Sequence, residues 1–260
     1  MNKKSVIFFD IDGTLLNEQK QMPQSTKAAI EQLKSDGHLV AIATGRAPFM
    51  YEQIREELGI NTYVSYNGSY VVLEGKVIFT NPLNKDALLA MTKEGLENDH
   101  PIVYMDEHDM RANVPDHAYI NESIESLKVG RFPTHDPDYH QGRDLYQSLF
   151  FCTEGEEEHY RQRYDSFTFV RWHPLSVDIL PKGGSKAHGI KQVINALAIS
   201  EENVYAFGDG LNDVEMLTTV KNSVAMDNGH QAAKEAAKLV TKSVDDDGIY
   251  HGLKQLGLIK

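Results

Sequence analysis

Phe8–Glu18 reads FFDIDGTLLNE, and the two aspartates in it, Asp10 and Asp12, sit one residue apart at the end of an apolar run. The run, SVIFF at Ser5–Phe9, has the length and β-forming character of a buried strand. Two carboxylates ~5 Å apart repel by roughly 3 kcal/mol at an effective dielectric near 20. A divalent cation between them relieves that repulsion, and so does a proton held by one of them.

Outward from this segment the chain alternates. STKAAIEQLKSDG (Ser25–Gly37) reads as a helix with Ser25 as N-cap, a Gly stop, and Ile30 and Leu33 on one face. LVAIAT (Leu39–Thr44) and TYVSY (Thr62–Tyr66) read as strands, with a helix at Met50–Gly59 between them. YVVLEGKVIF (Tyr70–Phe79) reads as a hairpin turning at Glu74–Gly75. Near Pro82 the rhythm breaks into mixed helical and strand-like pieces, with the charged stretches DEHDMRANVPDH and FPTHDPDYHQG read as loop. It resumes after PKGGSK with the helix KAHGIKQVINALA, the strand VYAFGDG, the helix NDVEMLTTV, the strand NSVAM, the helix HQAAKEAA, the strand LVT and the helix DGIYHGLKQLG.

Both-face apolar strands alternating with helices predict an α/β core with a Rossmann-like parallel sheet covered on both sides. We expect that core to be discontinuous, residues 1–83 and 183–260. Residues 84–182 are expected to form an inserted α+β cap with a mostly antiparallel sheet.

Composition bounds the function. The net charge is −12 with no basic cluster, which argues against nucleic acid as a partner. No apolar run approaches the ~20 residues of a membrane-spanning helix. Lys3 and Lys4 before the apolar run give a signal-peptide look, but Asp10 interrupts it and no small-residue cleavage site follows. The lone Cys152 fits a reducing, cytoplasmic setting and reads as a buried, inert thiol. The oligomeric state is open, and a monomer is compatible with the sequence.

Ligands of open parallel sheets bind at the carboxyl ends of the strands. Polar clusters follow the predicted strands there: DIDGT, TGR, NG and GDGLND, with GGSK opening a helix. Asp209 and Asp213 add negative charge to Asp10 and Asp12, and an all-oxygen set without Cys or His favours Mg²⁺ over Zn²⁺. Thr44, the close-approach backbone of Gly45 and the Lys186 ammonium suit phosphate oxygens. A lysine at a helix N-terminus is mildly unfavourable, which hints at another reason for it. Histidines of the 84–182 segment form no metal-ligand pair spacing. Arg111 and Arg171 are candidates to meet a second charge on a substrate, or are simply solvated.

In this order, DIDGT, TGR, the lysine and GDGLND resemble the four motifs of the haloacid dehalogenase superfamily of phosphatases, and SYNGSYV and SVAMDNGHQAAKEAAKLVT are similar to segments of its Cof-type subgroup. The resemblance implies a phosphatase of small phosphorylated metabolites, sugar phosphates or phosphorylated cofactors. By position it implies Asp10 as nucleophile and Asp12 as general acid and then base. It implies Thr44, Gly45, Lys186 and Asn212 as phosphate ligands. Mg²⁺ would be held by the Asp10 carboxylate, the Asp12 carbonyl and Asp209, with Asp213 behind them to orient metal waters or Lys186. Arg46, Asn67 and Arg111 are candidates for substrate binding. On this reading Asp12 holds a proton because Asp10 repels its charge. The second aspartate separates the chain from dehalogenases, which lack it, and from phosphoryl-transfer ATPases, which carry Thr there. A phosphosugar mutase and a non-catalytic phosphometabolite-binding protein are the alternatives. SKAHG departs from the subgroup's usual Lys-Gly, which leaves the backbone around Lys186 open.

Overall fold

The computed structural model describes residues 5–260; Lys3 and Lys4 lie outside the described residues. The chain divides into two units: Met1–Arg46, Glu52–Phe79 and Ser185–Lys260 form the first, and Ala47–Tyr51 with Thr80–Gly184 the second.

The first unit runs β1 (Val6–Phe9), α1 (Gln24–Ser35), β2 (Leu39–Ala43), α2 (Glu52–Leu58), β3 (Tyr63–Ser65), β4 (Tyr70–Leu73) and β5 (Lys76–Thr80). The second holds α3 (Lys85–Glu97), β6 (Ile102–Met105), β7 (Met110–Ala112), α4 (Ala118–Ser126), β8 (Thr134–His135), β9 (Gln147–Phe151), α5 (Glu157–Arg163), β10 (Phe167–His173) and β11 (Ser176–Pro181). The chain then returns to the first unit through α6 (Lys186–Leu197), β12 (Val204–Gly208), α7 (Val214–Thr219), β13 (Asn222–Ala225), α8 (Gln231–Ala236), β14 (Leu239–Val240) and α9 (Gly248–Gln255).

The first sheet has the order β14-β13-β12-β1-β2-β3-β4-β5. β1 pairs in parallel with both β12 and β2, and β3 pairs antiparallel with β4. Every residue of β1 is buried. Val6 and Phe8 enter an apolar cluster with Ile190 and Val193 of α6 and Met216 and Leu217 of α7. Side chains alternate along a strand, so Phe9 points the other way and stacks on Phe207, ring centroids 5.0 Å apart. Burying one such Phe contributes about 2–3 kcal/mol, which explains the continuous apolar run. The β4–β5 turn falls at Glu74 and Gly75, both at positive φ (47° and 79°), the signature of a tight hairpin.

Helix α1 starts two residues earlier than a cap at Ser25 would set, and Ser25 is not its cap. Pro23 holds that position without a side-chain bond, and the Ser25 hydroxyl instead bonds Asp247 at 2.5 Å. NDVEMLTTV is part short 3-10 turn, Leu211–Asp213, and only then helix.

The second unit carries a six-stranded sheet, β10-β11-β9-β6-β7-β8, antiparallel except for β7 with β8. Ile102, Tyr104, Phe150, Phe169, Val177 and Ile179 build its core with Leu88 and Met91 of α3 and Tyr160 of α5. The charged stretch read as loop is partly ordered. DEHD is the turn of a β6–β7 hairpin, closed by Asp106 Oδ1 accepting from the N–H groups of His108 and Asp109 at 2.8 and 2.9 Å. α4 has too few apolar residues to stand out in sequence; it buries Ile120, Ser123 and Ile124.

Cys152 is buried, and burial pushes its thiol up to about 11. Arg171 is neither solvated nor a free cation. It donates to both oxygens of Glu157 (2.8 and 2.5 Å) and to the carbonyls of Thr153 (3.0 Å), Cys152 (3.2 Å) and Pro174 (2.9 Å). Arg171→Met strands a nearly buried carboxylate and several carbonyls, so it should lower stability by about 2–4 kcal/mol. A thermal melt should show a drop of roughly 5–10 °C. Arg171→Lys should not restore it, because an ammonium cannot form the paired bonds.

Candidate active site

The site lies where the order of the parallel sheet reverses. From β1 the chain moves to β2 on one side, and the returning segment adds β12 and then β13 on the other. The carboxyl ends of β1 and β12 therefore open side by side, the arrangement that leaves a crevice. The Asp10 N–H donates to the Phe207 carbonyl at 3.0 Å, continuing the ladder to the first aspartate. Asp209 follows β12 directly.

Lys186 ties the ends together. Ser185 caps α6 by accepting from the His188 N–H at 3.1 Å, which starts the helix at Lys186. The lysine side chain is fully buried, and its Nζ donates to Asp10 Oδ1 and to Asp213 Oδ1, both at 2.6 Å. Burial alone would lower the lysine's pKa, but the charges of Asp10 and Asp213 raise it, so it stays an ammonium. The two aspartates are the reason for a cation at a helix N-terminus.

The backbone around the unusual SKAHG is set by close packing. A Cβ on Gly189 would lie 3.0 Å from Gly68 Cα and 2.4 Å from Val64. A Cβ on Gly68, at φ +94°, would lie 2.0 Å from the Ser185 carbonyl. The glycines let the Asn67 turn press on the start of α6.

Asp213 is spent inside the protein. Its second oxygen accepts from the N–H groups of Asp209 (3.0 Å) and Gly210 (2.9 Å). Asp209 Oδ1 accepts from the Thr14 hydroxyl at 2.8 Å. Asp10, Asp209 and Asp213 each offer a carboxylate oxygen within 4.8 Å of the others. Burial pushes Asp209 up to about 6, with the Asp213 charge adding to it against the Thr14 bond. Burial also raises Asp10 well above its ordinary value, and the two neighbouring carboxylates add to this against the pull of Lys186. Three acidic groups around one ammonium form an all-oxygen set short of positive charge, which fits a hard divalent cation. Gly13, at φ +80°, belongs to the same packing, since a Cβ there would lie 2.2 Å from Asp209 Oδ2.

Asp12 is not the carboxyl that is pushed up. Its oxygens accept two bonds from Arg46, 2.7 Å from Nε and 2.6 Å from a terminal nitrogen, and a third from Lys20 at 2.6 Å. Burial works to raise its pKa, but these bonds and charges bring it below the ordinary carboxylate value. The bonds from Arg46 and Lys20 thus favour the charged form of Asp12, against the expectation from its repulsion by Asp10, and the carboxyl that burial raises is Asp10. Arg46 is occupied with Asp12.

The remaining candidates gather beside this group. Thr44 follows β2, and its Oγ1 accepts from the Arg46 N–H at 3.1 Å. The Asn67 N–H donates to the Thr44 carbonyl at 3.1 Å, and Asn67 Oδ1 accepts from Asn212 at 3.3 Å. A Cβ on Gly45 would lie 3.1 Å from the Asn67 amide. Asn67 sits in a left-handed conformation (φ 48°, ψ 42°), which asparagine tolerates better than most residues. Arg111 belongs to the second unit, ion-paired with Asp109 and lying over the Tyr139 ring.

Sequence reasoning missed Thr14, Lys20 and Asn228. Asn228 donates to the Gly13 carbonyl at 2.8 Å and accepts from the Val244 N–H at 2.8 Å. Thr14 stood inside the quoted DIDGT and was a legible signal; Lys20 reaches Asp12 through a turn with its own φ at +60°, which no local pattern announces.

Comparison with known proteins places the chain in a family. A family model described as haloacid dehalogenase-like hydrolase matches residues 7–253. YkrA of Bacillus subtilis, whose name proposes a phosphatase and gives no substrate, is 47% identical over 255 residues, 98% of each chain. A crystal structure of a hypothetical protein from Geobacillus kaustophilus is 53% identical, with a TM-score of 0.96 over 99% of this chain and 100% of that one. The subclass IIB sugar phosphatase BT4131 of the haloacid dehalogenase superfamily is 30% identical, with a TM-score of 0.83 over 98% of this chain and 100% of the other. Among the described residues no helix is long and apolar enough to cross a membrane. A chain that matches the family over nearly its whole length, and phosphatases of that family from end to end, belongs to the haloacid dehalogenase-like hydrolases and is an enzyme of their phosphatase class.

Proposed function

We propose that this enzyme is a Mg²⁺-dependent phosphatase that hydrolyses phosphomonoesters of small metabolites, sugar phosphates or phosphorylated cofactors, through an aspartyl-phosphate on Asp10. The observation that carries the reading is the buried Lys186 ammonium bonded to one oxygen of Asp10 at 2.6 Å beside Asp209. A carboxylate fixed at one oxygen presents the other as a nucleophile. The Asp10 carboxylate, Asp209 and the Asp12 carbonyl would hold the cation, which when bound neutralises phosphoryl charge so that an anionic nucleophile can approach.

In the first half-reaction an Asp10 oxygen attacks phosphorus, the ester P–O bond breaks, and the leaving alcohol takes a proton from Asp12. In the second, Asp12 as carboxylate takes a proton from water. The water oxygen attacks phosphorus and the acyl-phosphate P–O bond breaks, which frees phosphate and Asp10. Thr44, Gly45, Lys186 and Asn212 hold the phosphoryl oxygens through both steps. Arg46 and Lys20 keep Asp12 charged, as its role of base requires. For its role of acid, an arriving phosphate draws one of the two cations away, and Asp12 takes up a proton from solvent before the ester bond breaks. Asp213 orients Lys186, and Asn67 orients Asn212. The buried lone thiol is consistent with work in the cytoplasm.

Hydrolysis of p-nitrophenyl phosphate by the purified protein tests the reading. Turnover should require Mg²⁺ and stop with EDTA; turnover indifferent to EDTA would contradict it.

The acidic set also predicts a pH dependence. Asp209, raised to about 6 from an ordinary 3.8, contributes stability below about pH 4 that is lost as pH rises through about 6. A cation on the ionised carboxylates offsets that loss. The rise in melting temperature on adding millimolar Mg²⁺ should thus be largest above pH 7 and shrink toward zero near pH 5. A rise independent of pH would point to cation binding elsewhere.

A further inference from the structure

Two cations share Asp12, and they are held differently. Arg46 donates from Nε and from a terminal nitrogen, at 2.7 and 2.6 Å, and its side chain is 16% exposed. Its backbone N–H is tied to Thr44 Oγ1. A planar two-bond fork fixes a guanidinium against a carboxylate. Lys20 makes one bond, 2.6 Å to Asp12 Oδ1, and its side chain is 35% exposed. An ammonium on a four-carbon stem can swing to another partner without moving the backbone.

The turn beneath Lys20 is built to place it. Asn17 Oδ1 accepts from the N–H groups of Gln19 (3.1 Å) and Gln21 (3.0 Å), and the Asn17 carbonyl accepts from the Lys20 N–H (2.9 Å). The Asn17 amide is anchored in turn on Asp245 at 2.9 Å. Lys20 is held at φ +60°, a left-handed conformation that glycine adopts freely and lysine rarely. An ion pair as exposed as this one adds little to stability. Pairing with Asp12 therefore does not by itself account for a lysine at this position.

The place of Asp12 supplies the second partner. A general acid reaches the leaving oxygen by one hydrogen bond, and that oxygen is bonded to phosphorus. An ammonium on Asp12 thus starts within two hydrogen-bond lengths, ~5.5 Å, of the ester oxygen. Charge points the same way. Asp10, Asp12, Asp209 and Asp213 stand against Lys186, Arg46 and Lys20, which leaves the group one positive charge short. With a divalent cation bound the balance turns positive by one, and without Lys20 it would be neutral toward an anionic ester.

We propose that Lys20 is the mobile cation of the two, a phosphate-binding residue that leaves Asp12 for a phosphoryl oxygen when substrate arrives, while Arg46 stays on Asp12. The inference rests on the preceding reading of Asp12 and deepens it, by naming the cation that moves and what it binds. The move holds the anionic ester and frees Asp12 Oδ1 to face the leaving oxygen. No covalent bond forms or breaks in it.

The test uses inorganic phosphate, which has no leaving group, and p-nitrophenyl phosphate, with Mg²⁺ at fixed ionic strength. In Lys20→Met the KM for the ester and the inhibition constant of phosphate should both rise about tenfold, the scale of one charge-assisted hydrogen bond. The turnover number should hold, because the bond is made alike in ground and transition states. Lys20→Arg should recover most of the loss. Lys27→Met removes an equally exposed cation, one paired with Glu57, and should change neither constant. A fall in kcat with both constants unchanged would make Lys20 a brace for Asp12 and overturn the proposal. So would no change at all, or an equal effect of Lys27→Met.

Should the wild type cleave no ester, the phosphatase reading fails, and binding decides the inference by itself. Calorimetric titration with inorganic phosphate and Mg²⁺ should then show about tenfold weaker binding to Lys20→Met than to wild type. Equal affinity, or no binding to either, would sink it.

Discussion

Asp10→Asn is expected to lower kcat for any phosphomonoester by at least about 10⁴-fold, the scale on which removal of a covalent nucleophile acts. The amide is nearly isosteric but cannot attack phosphorus. Its effect on the fold should be small, because Lys186 keeps Asp213 at 2.6 Å as a counter-ion. Asp10 also carries a pKa raised first of all by burial, so removing its charge relieves part of that strain on the site. Steady-state kinetics paired with a melting curve therefore separates the two readings of Asp10. A chemical role predicts lost turnover with a melting temperature at or above wild type. A purely structural role predicts both to fall together.

Lys186→Met should be the substitution with the largest effect on stability. It removes an ammonium with no exposed surface and leaves Asp10 and Asp213 facing each other without it. Breaking a buried ion pair on one side costs about 3–5 kcal/mol, which a thermal melt would read as a drop of roughly 10 °C. Turnover should fall with it, since the fixed oxygen of Asp10 is released. The double variant Lys186→Met with Asp213→Asn should recover part of the stability but none of the activity. A single variant as stable as wild type would mean that the ammonium is not the counter-ion holding these strand ends together.

The legible parts of the sequence share a physical cause. Strands such as Val6–Phe9 are apolar throughout because helices cover both faces, and that pattern needs no tertiary knowledge. The polar clusters were legible because the carboxyl ends of parallel strands must emerge together, which brings Asp10 and Asp209 side by side from opposite ends of the chain. The resemblance offered Lys186 as one of two partners for Asp213; the 2.6 Å contact itself depends on where α6 begins, and Gly68 and Gly189 set that by close packing.

What was not legible depends on partners distant in sequence. Arg46 has no local mark of its bond to Asp12, yet that bond lowers the Asp12 pKa where repulsion by Asp10 was expected to raise it. Arg171 reads as a surface cation until Glu157 and four carbonyls close around it. Helix α4 is short and polar, and it buries only Ile120, Ser123 and Ile124. In the second unit, side chains alternate between a core face and a partly polar face, so composition alone gives no clean period there.

The central claim is that phosphorus passes through a covalent bond to Asp10. An acyl phosphate is reduced by borohydride to an alcohol, which turns the aspartate into homoserine. Borohydride quenching during turnover with Mg²⁺ and substrate, followed by peptide mass spectrometry, tests this directly. Homoserine at position 10, absent without substrate and absent in Asp10→Asn, is the predicted result. Turnover that leaves Asp10 intact while another carboxylate is reduced, or none is, would contradict the account.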